Sequence, residues 1–161
     1  MAGAAPGSER DVLVGFRTLI DAAADGDVVR VAPGIYTESI LIEAKAVVLV
    51  SHYATSADPD FIERTIIDGG GASHAVEIGA SVGPGTAVQG FTIRNAVDGI
   101  DSLESLTLRH GVIDGFTGVG VHLGIGKHRI EQLEISGGGS GISLDNFGKV
   151  VIERTRVTGV A

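Results

Sequence analysis

Thr65-Ile66-Ile67-Asp68-Gly69 returns along the chain as Phe91-Thr92-Ile93-Arg94-Asn95, Gly111-Val112-Ile113-Asp114-Gly115, Leu133-Glu134-Ile135-Ser136-Gly137 and Thr155-Arg156-Val157-Thr158-Gly159. The central apolar residue falls at positions 67, 93, 113, 135 and 157, at spacings of 26, 20, 22 and 22. This column of Ile, Ile, Ile, Ile and Val is predicted to stack inward. Two residues later stand Gly69, Asn95, Gly115, Gly137 and Gly159. Glycine and asparagine best tolerate positive φ, so each rung is expected to turn there in a left-handed conformation. A second register repeats as Gly99-Ile100, Gly118-Val119 and Gly141-Ile142.

A repeat of this length, with several short strands and turns in each unit, predicts a solenoid of parallel strands. Each coil bonds to the next at ~4.8 Å per rung, so five or six coils make a rod ~25–30 Å long. Val28-Val29-Arg30-Val31, Ile40-Leu41-Ile42 and Val47-Val48-Leu49-Val50 read as strands, and Pro33-Gly34 as a turn. Before them, Glu9 to Ala24 reads as a helix with Ser8 as N-cap, an apolar face of Val12, Phe16, Leu19, Ile20 and Ala23, and a stop at Gly26. That helix is expected to cover the open edge of the first coil. No second helix is evident. The domain reading is a flexible segment 1–8 followed by one all-β domain, 9–161, with the capping helix at 9–24 and coils over 27–161. A leucine-rich-repeat horseshoe is the rival, but its regular leucine and asparagine pattern is missing.

Composition agrees. The 161 residues include 25 glycines, five Phe, two Tyr and no Trp, as expected of many turns around a narrow aliphatic core. The absence of cysteine excludes a disulfide scaffold, a four-cysteine zinc site and a thiol nucleophile, and leaves the compartment open. The net charge of −8 makes nucleic acid and anionic lipid poor partners. The acidity lies in residues 1–80, with 5 bases and 12 acids, against 7 and 8 in residues 81–161. No apolar run reaches the ~20 residues of a membrane span, and Met1–Gly7 does not read as a signal peptide.

From Phe16 onward the chain resembles a right-handed parallel β-helix of the pectin-lyase-like superfamily. The most specific stretch runs from Leu19-Ile20-Asp21-Ala22-Ala23-Ala24-Asp25-Gly26 through Asp27-Val28-Val29-Arg30-Val31-Ala32-Pro33-Gly34-Ile35-Tyr36-Thr37-Glu38. It is similar to the opening of pectin methylesterases and of uncharacterised β-helix repeat proteins. Thr65-Ile66-Ile67-Asp68-Gly69-Gly70 and Gly90-Phe91-Thr92-Ile93-Arg94-Asn95 are typical of the same group. The resemblance implies binding or processing of a polysaccharide. The catalytic signatures do not carry over. Asp60-Phe61-Ile62-Glu63 echoes an esterase motif in an early loop, and Arg109-His110-Gly111 is a partial echo of the polygalacturonase His-Gly motif. Tryptophan-containing motifs are absent. Catalysis is left open; an enzyme of this kind would be a polysaccharide hydrolase or lyase.

Stacked rungs bring outward residues together. Asp68, Arg94 and Asp114 follow the inward isoleucines and read as a charge ladder, with Arg94 also a candidate substrate contact; Glu134 and Arg156 form a similar pair. Glu77 and Asp101 flank the Gly99-Ile100 register on adjacent rungs, followed in that column by Gly120 and Ser143. Like charges one rung apart need an offsetting cation, proton or substrate. His122 and Asp145 lie two residues farther along the same face, where a carboxylate can orient an imidazole. Glu77, Asp101, His122 and Asp145 are therefore the candidate acid–base set, with Ser143 as a substrate contact. The alternative is a solvated strand face. No cofactor signature is present, although an oxygen-rich set of this kind suits a weak Ca²⁺ site. In the insertion His52 to Arg64, Tyr53 is a candidate to stack on a sugar ring and Asp58-Pro59-Asp60 a candidate cation turn. Gly79 to Thr86 reads as a turn. The C-terminal rung Val150 to Ala161 leaves a strand edge uncovered, from which a homo-oligomer, most simply a dimer, is expected as the non-catalytic alternative.

Overall fold

The inward residues of successive rungs form three apolar columns. They read Val29, Leu49, Val88, Leu108 and Ile130; then Tyr36, Ile67, Ile93, Ile113 and Ile135; then Ile40, Val76, Ile100 and Val121, all buried. β-branched and leucine side chains suit this pleated, fully covered surface. In the computed structural model, which describes residues 15–145 and 148–161, these columns line a parallel β-solenoid of about six turns.

Three ladders form the walls. The first runs through Val28–Val31, Val48–Ser51, Ala87–Gln89, the opening of Thr107–Asp114, the opening of Gly126–Ser136, and Gly148–Glu153. The second runs through Gly34–Thr37, Thr65–Asp68, Thr92–Arg94, the later halves of the same two long strands, and Arg156–Thr158. The third runs through Ile40–Ile42, His74–Ile78, Asp98–Ser102, Val119–Leu123 and Ser140–Leu144. Every pairing is parallel, and the column Ile67–Ile93–Ile113–Ile135–Val157 is in the register that the repeat predicts.

The second repeat stands corrected by two residues. Ile100 pairs with Val121, and Val121 with Ile142, so Gly120-Val121, rather than Gly118-Val119, continues the column. The reason is steric. A Cβ at Gly99 would lie 2.6 Å from Ile113 Cγ2, and one at Gly120 would lie 2.8 Å from Ile135 Cγ2 and 2.7 Å from the Gly141 carbonyl. Each third-ladder glycine therefore admits the isoleucine of the second ladder. A shift of two preserves the alternation of faces, so outward residues remain outward.

The turn column is also corrected in part. Asn95, Gly115 and Gly159 have φ of 59°, 60° and 64°, but in the Ile67 rung the left-handed residues are Gly70 and Gly71 rather than Gly69, and Gly137 has a φ of 159°. Gly69 is instead kept small by Ala96 and Ala75.

The helix spans Phe16–Ala22, follows an extended Gly15 and ends before Gly26. The expected start at Glu9, with Ser8 and Val12, falls in residues 1–14, which lie outside the described residues. Glu38 accepts from the Phe16 and Arg17 amides at one end, and Lys45 donates to the Asp21 and Ala23 carbonyls at the other, both charges complementing the helix dipole. Phe16, Ile20 and Ala23 are buried, and Phe16 packs edge-on to Tyr36 at 4.7 Å between ring centroids, so the helix covers this end of the core as expected. Two further short helices, Tyr53–Ser56 and Asp60–Arg64, occupy the insertion after Ser51. They are too short for periodicity to reveal. Among the described residues no helix is long and apolar enough to cross a membrane.

Removing Ile113 side-chain atoms leaves a cavity between two rungs, so Ile113→Ala is expected to lower unfolding free energy by ~2–5 kcal/mol in urea titrations. Gly120→Ala is expected to cost ~1–3 kcal/mol by overpacking. Ile35→Ala, at a side chain 62% exposed, should stay within ~0.5 kcal/mol. Equal losses at all three positions would contradict the column arrangement.

Candidate functional site on the third ladder

The corrected register rearranges the candidate site. The outward row of the third ladder reads Leu41, Glu77, Asp101, His122 and Ser143. His122, not Gly120, follows Asp101. Asp145 comes one residue after Leu144, the partner of Leu123, and its amide donates to the Leu123 carbonyl at 2.9 Å. Its side chain reaches back diagonally to the imidazole.

His122 is consequently held from both sides. Its Nδ1 lies 2.5 Å from Asp101 Oδ1, and its Nε2 lies 3.2 Å from Asp145 Oδ1. Both nitrogens donate when the ring is an imidazolium, which suits two carboxylate acceptors. The hydrogen bond that His122 donates to Asp101 foremost raises the His122 pKa above its ordinary value; burial opposes this, and Asp145 adds to the rise. The offset that adjacent Glu77 and Asp101 require is thus available within the protein. The two partners differ in exposure: the Asp101 side chain is 13% exposed and the Asp145 side chain 54%. Asp101 fixes the ring, whereas Asp145 is open to solvent and can be displaced from Nε2.

The other candidates are dispersed. Arg94 donates from Nε to Asp68 Oδ2 at 3.2 Å on the second ladder, away from His122. Asp68 also accepts from Asn95 and the Gly70 amide, and these bonds, with Asn95 the strongest, hold its carboxyl below the usual range. Arg94 is therefore half of a structural ion pair with Asp68, and Asp114, the third member of the expected charge ladder, makes no ion pair among the described residues. The expected Glu134–Arg156 pair is present at 3.7 Å and exposed. Tyr53 stands at the corner between the first and second ladders. Among the described residues no group of three or more His, Asp or Glu side chains is arranged to hold a metal ion.

Sequence reasoning missed one feature. Gly90, His110, Gln132 and Arg154 form a column of left-handed residues, with φ of 86°, 48°, 52° and 49°. They follow the aligned Gln89, Arg109, Glu131 and Glu153 and bend the chain from the first ladder into the second. Three of the four are not glycine or asparagine, so composition gave no signal. Comparison of the chain with protein-family models, curated proteins and solved structures finds no match.

The raised His122 pKa has a defined effect on stability. A group whose pKa is higher folded than unfolded contributes fully below its unfolded value, about 6.5 for histidine, and the contribution is lost as pH rises through the folded value. Wild-type stability should therefore fall across that interval, and His122→Gln should remove this part of the slope. In parallel, the His122 resonance should titrate above 6.5, and Asp101→Asn should lower its midpoint. An unchanged midpoint in Asp101→Asn would show that the pair is not formed.

Proposed function

We propose that this protein is a right-handed, pectin-lyase-like β-helix that binds a carbohydrate chain along its third ladder and uses His122 for proton transfer to or from that chain. The supporting observation is the Asp101–His122–Asp145 constellation on an outward face whose neighbours, Glu77 and Ser143, also project polar groups. From Glu77 to Ser143 the row offers a new polar side chain at each rung, ~4.8 Å apart, in a straight line that suits an extended polymer. Hydrolysis and elimination of a glycosidic bond both require a positioned acid or base. His122 has the parts for this role: a ring fixed through Nδ1, and an Nε2 proton facing a displaceable carboxylate. A glycosidic oxygen that replaces Asp145 would receive that proton as its bond to the anomeric carbon breaks and it departs as the hydroxyl of the leaving sugar. The acidity of this face favours neutral polymers over polyuronates, which the carboxylates would repel.

The test is to incubate purified protein with neutral and acidic polysaccharides while following binding, new reducing ends and unsaturated products. Turnover lost by ~10²–10⁴-fold in His122→Gln is the expected result for a positioned acid or base. Binding without turnover would make the same face a glycan-binding surface. Neither activity across the panel would overturn the proposal.

A second reading, assembly into a homo-oligomer, is favoured by the last described coil. There Ile152 and Val157 continue two core columns yet are 45% and 41% exposed. Exposed apolar side chains in register with buried columns form an association surface. Light scattering at increasing concentration should then report a dimer that Ile152→Lys dissociates; a monomer throughout would dismiss this reading.

A further inference from the structure

On the side of the solenoid away from the third ladder, the insertion after Ser51 folds over the left-handed corner column and leaves an open groove of about 470 Å³. That size falls within the ~300–1,000 Å³ typical of small-ligand sites. Its apolar lining includes Ile62 from the short helix Asp60–Arg64 and Leu133 from the second ladder. Tyr53 and His110 form one wall, with ring centroids 4.8 Å apart and planes inclined at 40°. Residues 57 positions apart are tied there by a hydrogen bond, Tyr53 Oη to His110 Nδ1 at 3.1 Å.

The chemistry of the wall follows from that bond. Burial pushes the His110 pKa below its ordinary value, which favours the neutral ring. A neutral imidazole that accepts from the Tyr53 hydroxyl at Nδ1 carries its proton on Nε2 and is left with one N–H to donate. The charged lining residues balance: Glu63 and Glu134 against Arg154 and Arg156, the latter already beside Glu134 at 3.7 Å. The groove is therefore aromatic and aliphatic in part, rich in hydrogen-bonding groups and without net charge. An anion would meet Glu63 and Glu134, and a cation would meet the arginines. An uncharged ring carrying several hydroxyl groups matches both features, with an apolar face for Tyr53 and hydroxyls for Gln132 and Arg154.

We propose that this groove is a second binding site, specific for a neutral sugar ring and separate from the His122 face. The site shares the carbohydrate reading of the third ladder but depends on none of its residues. It gives Tyr53 a ligand-binding role distinct from any chemistry at His122.

The two histidines act as separate reporters. Full-length protein would be titrated with cellohexaose, xylohexaose, mannohexaose and trigalacturonate while the His110 and His122 imidazole signals are followed by NMR. At least one neutral hexaose should shift His110 saturably. Tyr53→Ala should weaken that binding at least tenfold without altering any response at His122. Arg154→Ala, at an exposed side chain, guards against a folding artefact and should weaken it several-fold. No His110 response to any neutral sugar, a preference for trigalacturonate, or unchanged affinity in both variants would overturn the proposal. A response at His110 with silence at His122 would instead count against the third-ladder reading alone.

Discussion

Placement throughout this molecule depends on the spacing of hydrogen-bonded parallel strands, ~4.8 Å from rung to rung. That spacing converts residues 20 or more positions apart into neighbours. It stacks isoleucine on isoleucine inside and sets Asp101 beside His122 outside. The constraint that locks the spacing between walls is the contact of third-ladder glycines with second-ladder aliphatic side chains. Gly99 receives Ile113, Gly120 receives Ile135 and Gly141 receives Val157. A side chain at any of these glycines would separate two walls of the core.

The same contacts explain how much of the fold was legible. The Ile67–Val157 column was readable because identical residue types recur at near-constant spacing and a buried column tolerates little else. The third-ladder register was harder. Both Gly118-Val119 and Gly120-Val121 present glycine followed by valine, and what distinguishes them is tertiary contact, Gly120 facing Ile135 and Phe116 in the core and Gly118 facing Val97 and Asp98. Sequence spacing carries no information about that contact. The helix was legible from Phe16, Ile20 and Ala23, whereas its start was not, because Gly15 and the Glu38 cap lie outside any periodic pattern.

The candidate site was legible as a set of residues but not as an arrangement. The alternation of strand faces placed Glu77, Asp101, His122, Ser143 and Asp145 on one surface even with the register displaced. The displacement hid the central point, that the imidazole lies between two carboxylates, both of which raise its pKa. Arg94 and Tyr53 were readable by type alone. Arg94 belongs to the Asp68 pair, and Tyr53 lines a groove together with residues 110, 132 and 154. Nothing in their composition announces a shared corner, since a left-handed bend filled by His, Gln and Arg has no recurring residue type.

The rung register is the claim on which the remainder rests, and the lack of cysteine makes it directly measurable by paired spin labels. Ile35 and Arg156 are both exposed on the second ladder and five hydrogen-bonded steps apart, through Ile66, Thr92, Val112 and Glu134. Leu41 and Ser143 are four steps apart on the third, through Glu77, Asp101 and His122. Pulsed EPR on the two double-cysteine variants should give backbone separations of roughly 24 Å and 19 Å, each broadened by the label linkers. Distances that do not scale with the number of rungs, or a Leu41–Ser143 separation as long as that of Ile35–Arg156, would contradict the stacked register and with it the setting of His122 between Asp101 and Asp145.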